Sequence, residues 1–134
     1  MNKNELGHFI LRVILGFIFF IHGLSKFQGG ISNTAGFFDS IGIPGFMAYA
    51  VGVIELAGGI ALILGIGTKM VSVLFAFIML GAIFTAKLPA GLLGNGQMAG
   101  YELDLILLAA SIYFVLAKES SLSLGSKLTQ SKPN

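Results

Sequence analysis

Apolar residues fill long, nearly uninterrupted stretches of the chain, and glycine-rich or polar segments separate them. Four stretches approach the length of about 20 residues that a helix needs to cross a bilayer. They cover about residues 6–27, 45–65, 69–87 and 101–117. The segments "GIPG" at 42–45 and "GLLGNGQMAG" at 91–100 between them are typical of turns and loops. The pattern predicts an all-α fold, a transmembrane four-helix bundle.

Composition supports a single membrane domain over residues 1–134. Hydrophobic residues make up 55% of the chain and charged residues only 10%, whereas a soluble domain carries roughly 25% charge. The partner expected of this exterior is the lipid bilayer. A net charge of +2 is too small to indicate a nucleic-acid surface. The chain has no cysteine and two histidines, so we predict no metal site.

The lysines are distributed unequally between the two ends of the predicted bundle. The end that carries both termini holds Lys3, Lys69, Lys118, Lys127 and Lys132. Only Lys26 and Lys87 lie toward the other face. The positive-inside rule therefore predicts a multi-pass protein of the bacterial plasma membrane with both termini in the cytoplasm. Residues 118–134 form a polar cytoplasmic tail, which we expect to be poorly ordered toward its end.

The first apolar segment resembles a signal peptide only superficially. It follows Lys3, but Arg12 interrupts its apolar core, and no A-x-A cleavage site follows it. We therefore expect the segment to stay in the protein as its first helix.

The two halves of the chain resemble each other. One half reads "FFIHGLSKF", a glycine-rich loop and "AVGVIELAGG"; the other reads "LGAIFTAKL", a glycine-rich loop and "MAGYELDLIL". In this match Lys26 corresponds to Lys87, and Glu55 corresponds to Glu102. The bundle would then consist of two parallel helical-hairpin repeats related by an axis along the membrane normal. Convergence of two generic hairpins is the alternative.

Two of the predicted helices carry ionisable residues on a face rich in small residues. At about 100° per residue, one face of the first helix holds Arg12, Gly16, Phe19, His22, Gly23 and Lys26. One face of the second holds Ala48, Gly52, Glu55, Gly59 and Leu62. Small residues let neighbouring helices approach closely, so both faces should point into the bundle. On the fourth helix, Glu102 shares a face with Ala109 and Tyr113, and Asp104 points the opposite way toward water.

Glu55 lies near mid-membrane, where an unpaired carboxylate would cost several kcal/mol. We predict a structural ion pair between Arg12 and Glu55. The predicted ligand-binding pocket between the helices comprises Arg12, His22, Lys26, Glu55, Lys87 and Glu102. Glu55 and Glu102 are the candidate proton-transfer groups.

Each of these groups also has a purely structural interpretation. The Arg12–Glu55 pair could only hold helices together, and Lys26 and Lys87 could extend to the headgroups. The acidic residues at the start of the fourth helix could be stabilised by the helix dipole, and His22 could pack in a polar corner. Six ionisable side chains in four short spans favour a site for an anionic or redox-active ligand.

Several motifs, in this order, resemble the DoxX family of small four-helix bacterial membrane proteins. They are Arg12 in the first span, "FxxHGLSKF" at its end, "GxPG" before the second span, "ELAGGIALILGIGTK" through it, and "GYELDLILL" opening the fourth. The similarity covers about residues 6–117. The residues that match the family's polar pattern are Arg12, His22, Lys26, Glu55 and Glu102, and the family supplies no agreed catalytic residue.

The resemblance implies a protein linked to quinone, catechol or oxidative-stress chemistry, since DoxX proteins include relatives of quinol oxidase and thiosulfate:quinone oxidoreductase subunits. We predict a quinone-interacting oxidoreductase or redox-complex subunit. The sequence shows no haem, flavin or dinucleotide motif and no covalent cofactor, so quinone is the expected redox ligand. Electrons would come from an organic donor or a partner protein.

Two other functions fit the same residues. The protein could be a non-catalytic membrane anchor or assembly subunit that recruits soluble redox or detoxification enzymes through its basic tail. It could also be a small transporter of organic anions, which in a chain of this length would require a homo-oligomer.

Overall fold

A computed structural model describes residues 2–119 and 122–130. They form an all-α membrane bundle, as the hydrophobic pattern predicts. The six α-helices are α1 (Lys3–Gln28), α2 (Ile31–Ser40), α3 (Phe46–Leu64), α4 (Thr68–Ala82), α5 (Glu102–Leu116) and α6 (Leu124–Gln130). A π-helical turn, Ile83–Lys87, and a 3₁₀ turn, Leu88–Ala90, continue from α4. The four predicted apolar stretches appear as α1, α3, α4 with its extension, and α5.

Three helical segments of the described chain are long and apolar enough to cross a membrane. They are Lys3–Gln28, Phe46–Leu64 and Thr68–Ala90. The fourth long helix, α5, has 15 residues, which corresponds to about 22 Å. The bundle has two ends: the tail end carries the start of α1 and helix α6, and the loop end carries α2 and residues 88–101.

Helices α1 and α3 pack backbone to backbone through paired glycines. A Cβ placed on Gly16 would lie 2.6 Å from the carbonyl oxygen of Gly59, and a Cβ on Gly59 would lie 2.6 Å from that of Gly16. Toward the loop end, a Cβ on Gly23 would lie 2.9 Å from the Gly52 carbonyl oxygen. The two helices are therefore antiparallel and touch along the small-residue faces predicted for them.

The middle of the bundle is an apolar core. The rings of Phe19 and Phe75 stack with centroids 3.8 Å apart, which joins α1 to α4. The buried members of the core are Leu15, Phe19, Leu62, Val71, Phe75, Met79, Leu107 and Phe114. This core separates the polar groups of the loop end from those of the tail end.

The segment at 28–44, predicted as a loop, contains the ten-residue helix α2. No residue of α2 is buried, so the helix lies over the loop end rather than inside the bundle. The chain leaves α2 through a turn in which Asp39 accepts a hydrogen bond of 2.8 Å from the backbone N–H of Gly45. This turn orients α2 against the start of α3.

Part of the predicted tail packs against the bundle. Buried Arg12 donates from Nε to the Leu62 carbonyl (2.9 Å) and from Nη2 to the Leu122 carbonyl (3.1 Å). The Gly125 N–H donates to the Gly65 carbonyl (3.0 Å). Residues 131–134, for which poor order is predicted, lie outside the described residues.

Candidate functional site

A cavity of about 510 Å³ lies at the loop end. Helices α2, α3 and α4 form most of its wall, and the π-helical turn, α1 and α5 complete it. The wall is mostly apolar, with Phe38, Ile54 and Ile78 among its residues. Its charged and imidazole groups are His22, Lys26, Glu55, Lys87 and Asp104. The volume falls within the roughly 300–1,000 Å³ of small-molecule sites.

One ion pair at the cavity joins α1 to α3. Lys26 Nζ lies 2.7 Å from Oε1 of Glu55. The Glu55 side chain is 2% exposed, whereas that of Lys26 is 23% exposed. At this distance the ammonium and the carboxylate form a charge-assisted contact, which is among the stronger polar interactions in proteins. The ion pair therefore compensates the charge of a carboxylate that is buried between the helices.

A second ion pair of the same kind joins the end of the α4 segment to α5. Lys87 Nζ lies 2.8 Å from Oδ2 of Asp104, a carboxylate that is 6% exposed. Lys87 closes the π-helical turn, in which the Thr85 hydroxyl donates to the Gly81 carbonyl. A π-helical turn changes the direction of the following side chains and often occurs at functional sites. Here it brings Thr85 and Lys87 to the cavity wall.

His22 lies on α1, one turn before Lys26. It lines the cavity and interacts electrostatically with Lys26, Lys87 and Asp104. Asp104 also acts on Glu55, so the two pairs form one charged cluster. With an imidazole added to two ammonium groups and two carboxylates, the cluster can donate hydrogen bonds, stabilise negative charge and hold protons.

The predicted ion pair between Arg12 and Glu55 is wrong. Glu55 lies at the level of Gly23, because a Cβ placed on Gly23 would lie 3.0 Å from the Glu55 Cβ. Arg12 precedes Gly23 by 11 residues, a distance of about 16 Å along the helix. The register set by the glycine contacts therefore places Arg12 beside Leu62 and brings Lys26 to Glu55.

The predicted orientation of the acidic residues on α5 is also wrong. Glu102 is exposed, and Asp104 is buried. The inward face of α5 comprises Asp104, Leu107, Ser111 and Phe114. Ala109 and Tyr113, which share the face of Glu102, are exposed as well. Glu102 does not line the cavity, and Asp104 takes the position in the cluster that was predicted for it.

The structure thus brings together four of the six predicted ligand-binding residues, His22, Lys26, Glu55 and Lys87. Arg12 and Glu102 lie elsewhere. The repeat in the sequence held a signal for the missed residue, because "IEL" around Glu55 can be matched to "LDL" around Asp104 instead of to Glu102. In that register each half contributes one lysine and one carboxylate that form a pair.

Groups of three or more His, Asp or Glu side chains suited to a metal ion are absent from the described part of the chain. The side chains at the cavity that could bind a metal, His22, Glu55 and Asp104, lie on three different helices, and both carboxylates are paired with lysines. Such a set suits a polar organic group, whose oxygens accept hydrogen bonds, better than a metal ion.

A family model described as DoxX matches residues 7–88, which include most of α1, all of α3 and α4, and both lysines of the cluster. The chain belongs to the DoxX family. This confirms the resemblance drawn from the motifs. The matched region holds Lys26, Glu55 and Lys87, and Asp104 lies beyond it.

The chain is also similar to individual bacterial proteins. It is 47% identical over 135 residues to the Bacillus subtilis protein named "Putative oxidoreductase CatD", with 100% of this chain and 96% of the relative covered. It is 31% identical over 130 residues to an uncharacterised membrane protein of Mycobacterium tuberculosis, covering 90% and 80%. It is 31% identical over 70 residues to the inner membrane protein YqjF of Escherichia coli, covering 52% and 53%. No solved structure matches the chain.

Proposed function

We propose that the protein is a quinone-interacting oxidoreductase or redox-complex subunit of the plasma membrane, and that the loop-end cavity is its quinone site. The observation that carries the proposal is a mostly apolar cavity of about 510 Å³ whose wall includes two lysine–carboxylate pairs and His22. A relative that bears the word oxidoreductase in its name supports the reaction class.

The walls of the cavity suit an apolar ring that enters from lipid. Residues that line it are also exposed on the surface of the bundle, with Phe77 68%, Phe37 45% and Met47 40% exposed. On a membrane helix, exposed apolar residues face lipid. A quinone that diffuses in the bilayer would therefore contact these apolar residues before it contacts the charged side chains of the cavity.

The charged and imidazole groups of the cavity wall are suited to bind the carbonyl oxygens of a quinone. Lys26, Lys87 and His22 are the groups that would donate hydrogen bonds to them. Reduction to the quinol adds two electrons and two protons, and fixed cations stabilise the negative charge that develops on oxygen. Each lysine–carboxylate pair holds one transferable proton, on Lys26 or Lys87, which would pass to a quinone oxygen and be regained from water. Glu55 and Asp104 would take part in this transfer by holding the lysines in place and accepting the returning proton.

The electrons come from a partner redox protein or from an organic reductant in this proposal. The chain itself supplies binding, charge stabilisation and protons. The biological role we infer is detoxification of quinones or catechols, or protection from oxidative stress. We also infer that both termini lie in the cytoplasm, so the cavity belongs to the outer half of the membrane.

The test is binding and reduction of a short-chain quinone by the purified protein in detergent. We expect saturable binding in the wild type, at least tenfold weaker binding in His22→Gln and Asp104→Asn, and wild-type binding in Glu102→Gln. Glu102→Gln is the matched control, because it removes an exposed carboxylate two residues from Asp104. Correct folding of each variant is checked by size exclusion and circular dichroism.

Other results would favour other functions. Absence of quinone binding by the folded wild type would contradict the proposal. Capture of a soluble redox enzyme by that non-binding protein would then support the membrane-anchor function. Flux of an organic anion into proteoliposomes, without any redox change, would support the transporter.

A further inference from the structure

A second cavity, of about 220 Å³, lies at the tail end. The residues that matter for its chemistry are His8, Gly67, Thr68, Lys69, Lys118 and Glu119. None of them lines the loop-end cavity, and the apolar core separates the two. The chemistry of this cavity is therefore independent of the proposed quinone site.

The N-terminus of α4 opens into this cavity without a cap. Gly67 has the left-handed conformation (φ 59°, ψ 34°), no side chain caps the helix, and its first turn has no acidic residue. The N–H groups of Thr68, Lys69 and Met70 have no acceptor among the described residues. A left-handed residue followed by helical ones points successive N–H groups into one concavity, a known anion-binding arrangement.

Two buried side chains at the cavity have polar atoms without a partner in the described part of the protein. Thr68 is 7% exposed and His8 is 9% exposed. The Thr68 hydroxyl and Nδ1 of His8 are both enclosed and have no hydrogen-bond partner within the described chain. Buried polar atoms nearly always have a partner, and these two atoms are available to a group that binds in the cavity.

The charges around the cavity are mainly positive. Lys69 and Lys118 line it, and Arg12 acts electrostatically on His8 from one turn further along α1. Glu119 is the opposing carboxylate. Its Oε1 lies against Gly125, and it interacts with Arg12, so it is turned toward α6. A lysine in the first turn of a helix is unfavourable unless an anion lies nearby.

We propose that the tail-end cavity binds a phosphate group, either that of a phospholipid headgroup or that of a soluble phosphate. Backbone N–H groups, a hydroxyl and two ammonium groups match the several strong acceptor oxygens and the negative charge of a phosphate. The cavity lies at the end of the bundle, where α1 and α5 reach the level of the headgroups. The site would tie α1, α4 and α5 together at that level.

Two probes distinguish the two sources of phosphate. Inorganic phosphate is titrated against delipidated protein in detergent, with the melting temperature as readout. Phosphatidylglycerol retention is measured by native mass spectrometry. We expect Lys69→Gln and Lys118→Gln each to weaken binding of the effective probe about tenfold, and Lys127→Gln, an exposed lysine on α6, to leave it unchanged.

The Thr68 variants separate a binding role from general destabilisation. Thr68→Val should weaken binding of the same probe, and Thr68→Ser, which keeps the hydroxyl, should restore it. Lysine-dependent binding of inorganic phosphate would identify a soluble-phosphate site, and binding of phosphatidylglycerol alone would identify a headgroup site. Binding of neither probe, or an equal loss in Lys127→Gln, would overturn the proposal.

Discussion

The ion-pair partner of Glu55 is determined by which cation lies at the same depth in the membrane. Its carboxylate is almost completely buried in α3, and Lys26 is the cation that the α1–α3 register brings to the same level. Arg12, on the same face of α1, lies about 16 Å away along the helix and binds backbone carbonyls instead. Helix face and depth together decide which charges can meet.

The unequal burial of Lys26 and Glu55 predicts unequal effects of substitution. Lys26→Gln leaves a carboxylate that is 2% exposed without a counter-ion, and we expect a loss of about 3–5 kcal/mol in unfolding free energy. Glu55→Gln leaves a lysine that can turn toward water, so the loss should be smaller, about 1–2 kcal/mol.

Reversible unfolding in mixed micelles measures this asymmetry. The double variant Lys26→Gln/Glu55→Gln is the control, because removal of both charges should recover most of the loss caused by Lys26→Gln. Equal losses in the two single variants, or additive losses in the double variant, would contradict the assigned pair.

We expect the hydrogen bonds of Arg12 to hold the residues around Leu122 against the bundle. Arg12→Lys keeps the charge but removes the fork of donors that binds two carbonyls. We expect cleavage after Glu119 by a glutamate-specific protease to become about tenfold faster, because the segment detaches more often. Lys3→Gln, which changes a cation at the same end, serves as control. An unchanged cleavage rate in Arg12→Lys would show that other contacts hold the segment.

At the scale of helices, the contact between α1 and α3 depends on the absence of side chains at Gly16 and Gly59. A Cβ at Gly16 would meet backbone atoms that cannot rotate away. We expect Gly16→Ala to lower the unfolding free energy by about 1–3 kcal/mol by forcing the helices apart. Gly7→Ala, in the same helix with nothing within 4 Å of the new Cβ, should be neutral or stabilising. The same micelle assay compares them, and equal effects would contradict the packing.

The sequence predicts the long helices and the inward faces of two of them. On α1 the buried residues include Arg12, Gly16, Phe19 and Gly23. On α3 they include Ala48, Gly52, Glu55, Gly59 and Leu62. These faces were predictable because glycines mark close helix contacts in membranes, and because the long apolar runs leave few positions for charge.

The face of α5, the ion-pair partners and helix α2 could not be predicted in the same way. Lipid and protein core are both apolar, so a helical wheel without glycines does not distinguish them and cannot decide between Glu102 and Asp104. Which charged residues form an ion pair depends on how the helices are aligned along their axes, and only the interatomic contacts of the structure show that alignment. Helix α2 is short and exposed, and its hydrophobic pattern is too brief to separate it from a loop.

At the scale of the whole molecule, an apolar core separates two polar ends with different chemistry. The loop end holds the lysine–carboxylate cluster and the larger cavity. The tail end holds Arg12, the uncapped start of α4 and the smaller cavity. Our proposals assign the first to a redox ligand and the second to phosphate, so each end can be altered without changing the other.

The orientation of these ends is testable because the chain contains no cysteine. We expect Asn95→Cys, in the loop after α4, to react with a membrane-impermeant maleimide on intact cells. Lys127→Cys, on α6, should react only after lysis, because the greater number of lysines at the tail end predicts a cytoplasmic position for that end. The reverse labelling pattern would place the cavity of the loop end on the cytoplasmic side.

The central claim is that the loop-end cavity binds quinone, and the most direct test is photolabelling in lipid nanodiscs with a photoreactive short-chain quinone. We expect saturable labels on residues 47–55 of α3 and 74–87 of the α4 segment, competed by unlabelled quinone. Ala82→Phe, which fills the cavity, should abolish them, and Val73→Phe, on the exposed surface of α4, should not. Labels spread over the outer surface, or unaffected by Ala82→Phe, would contradict the assignment.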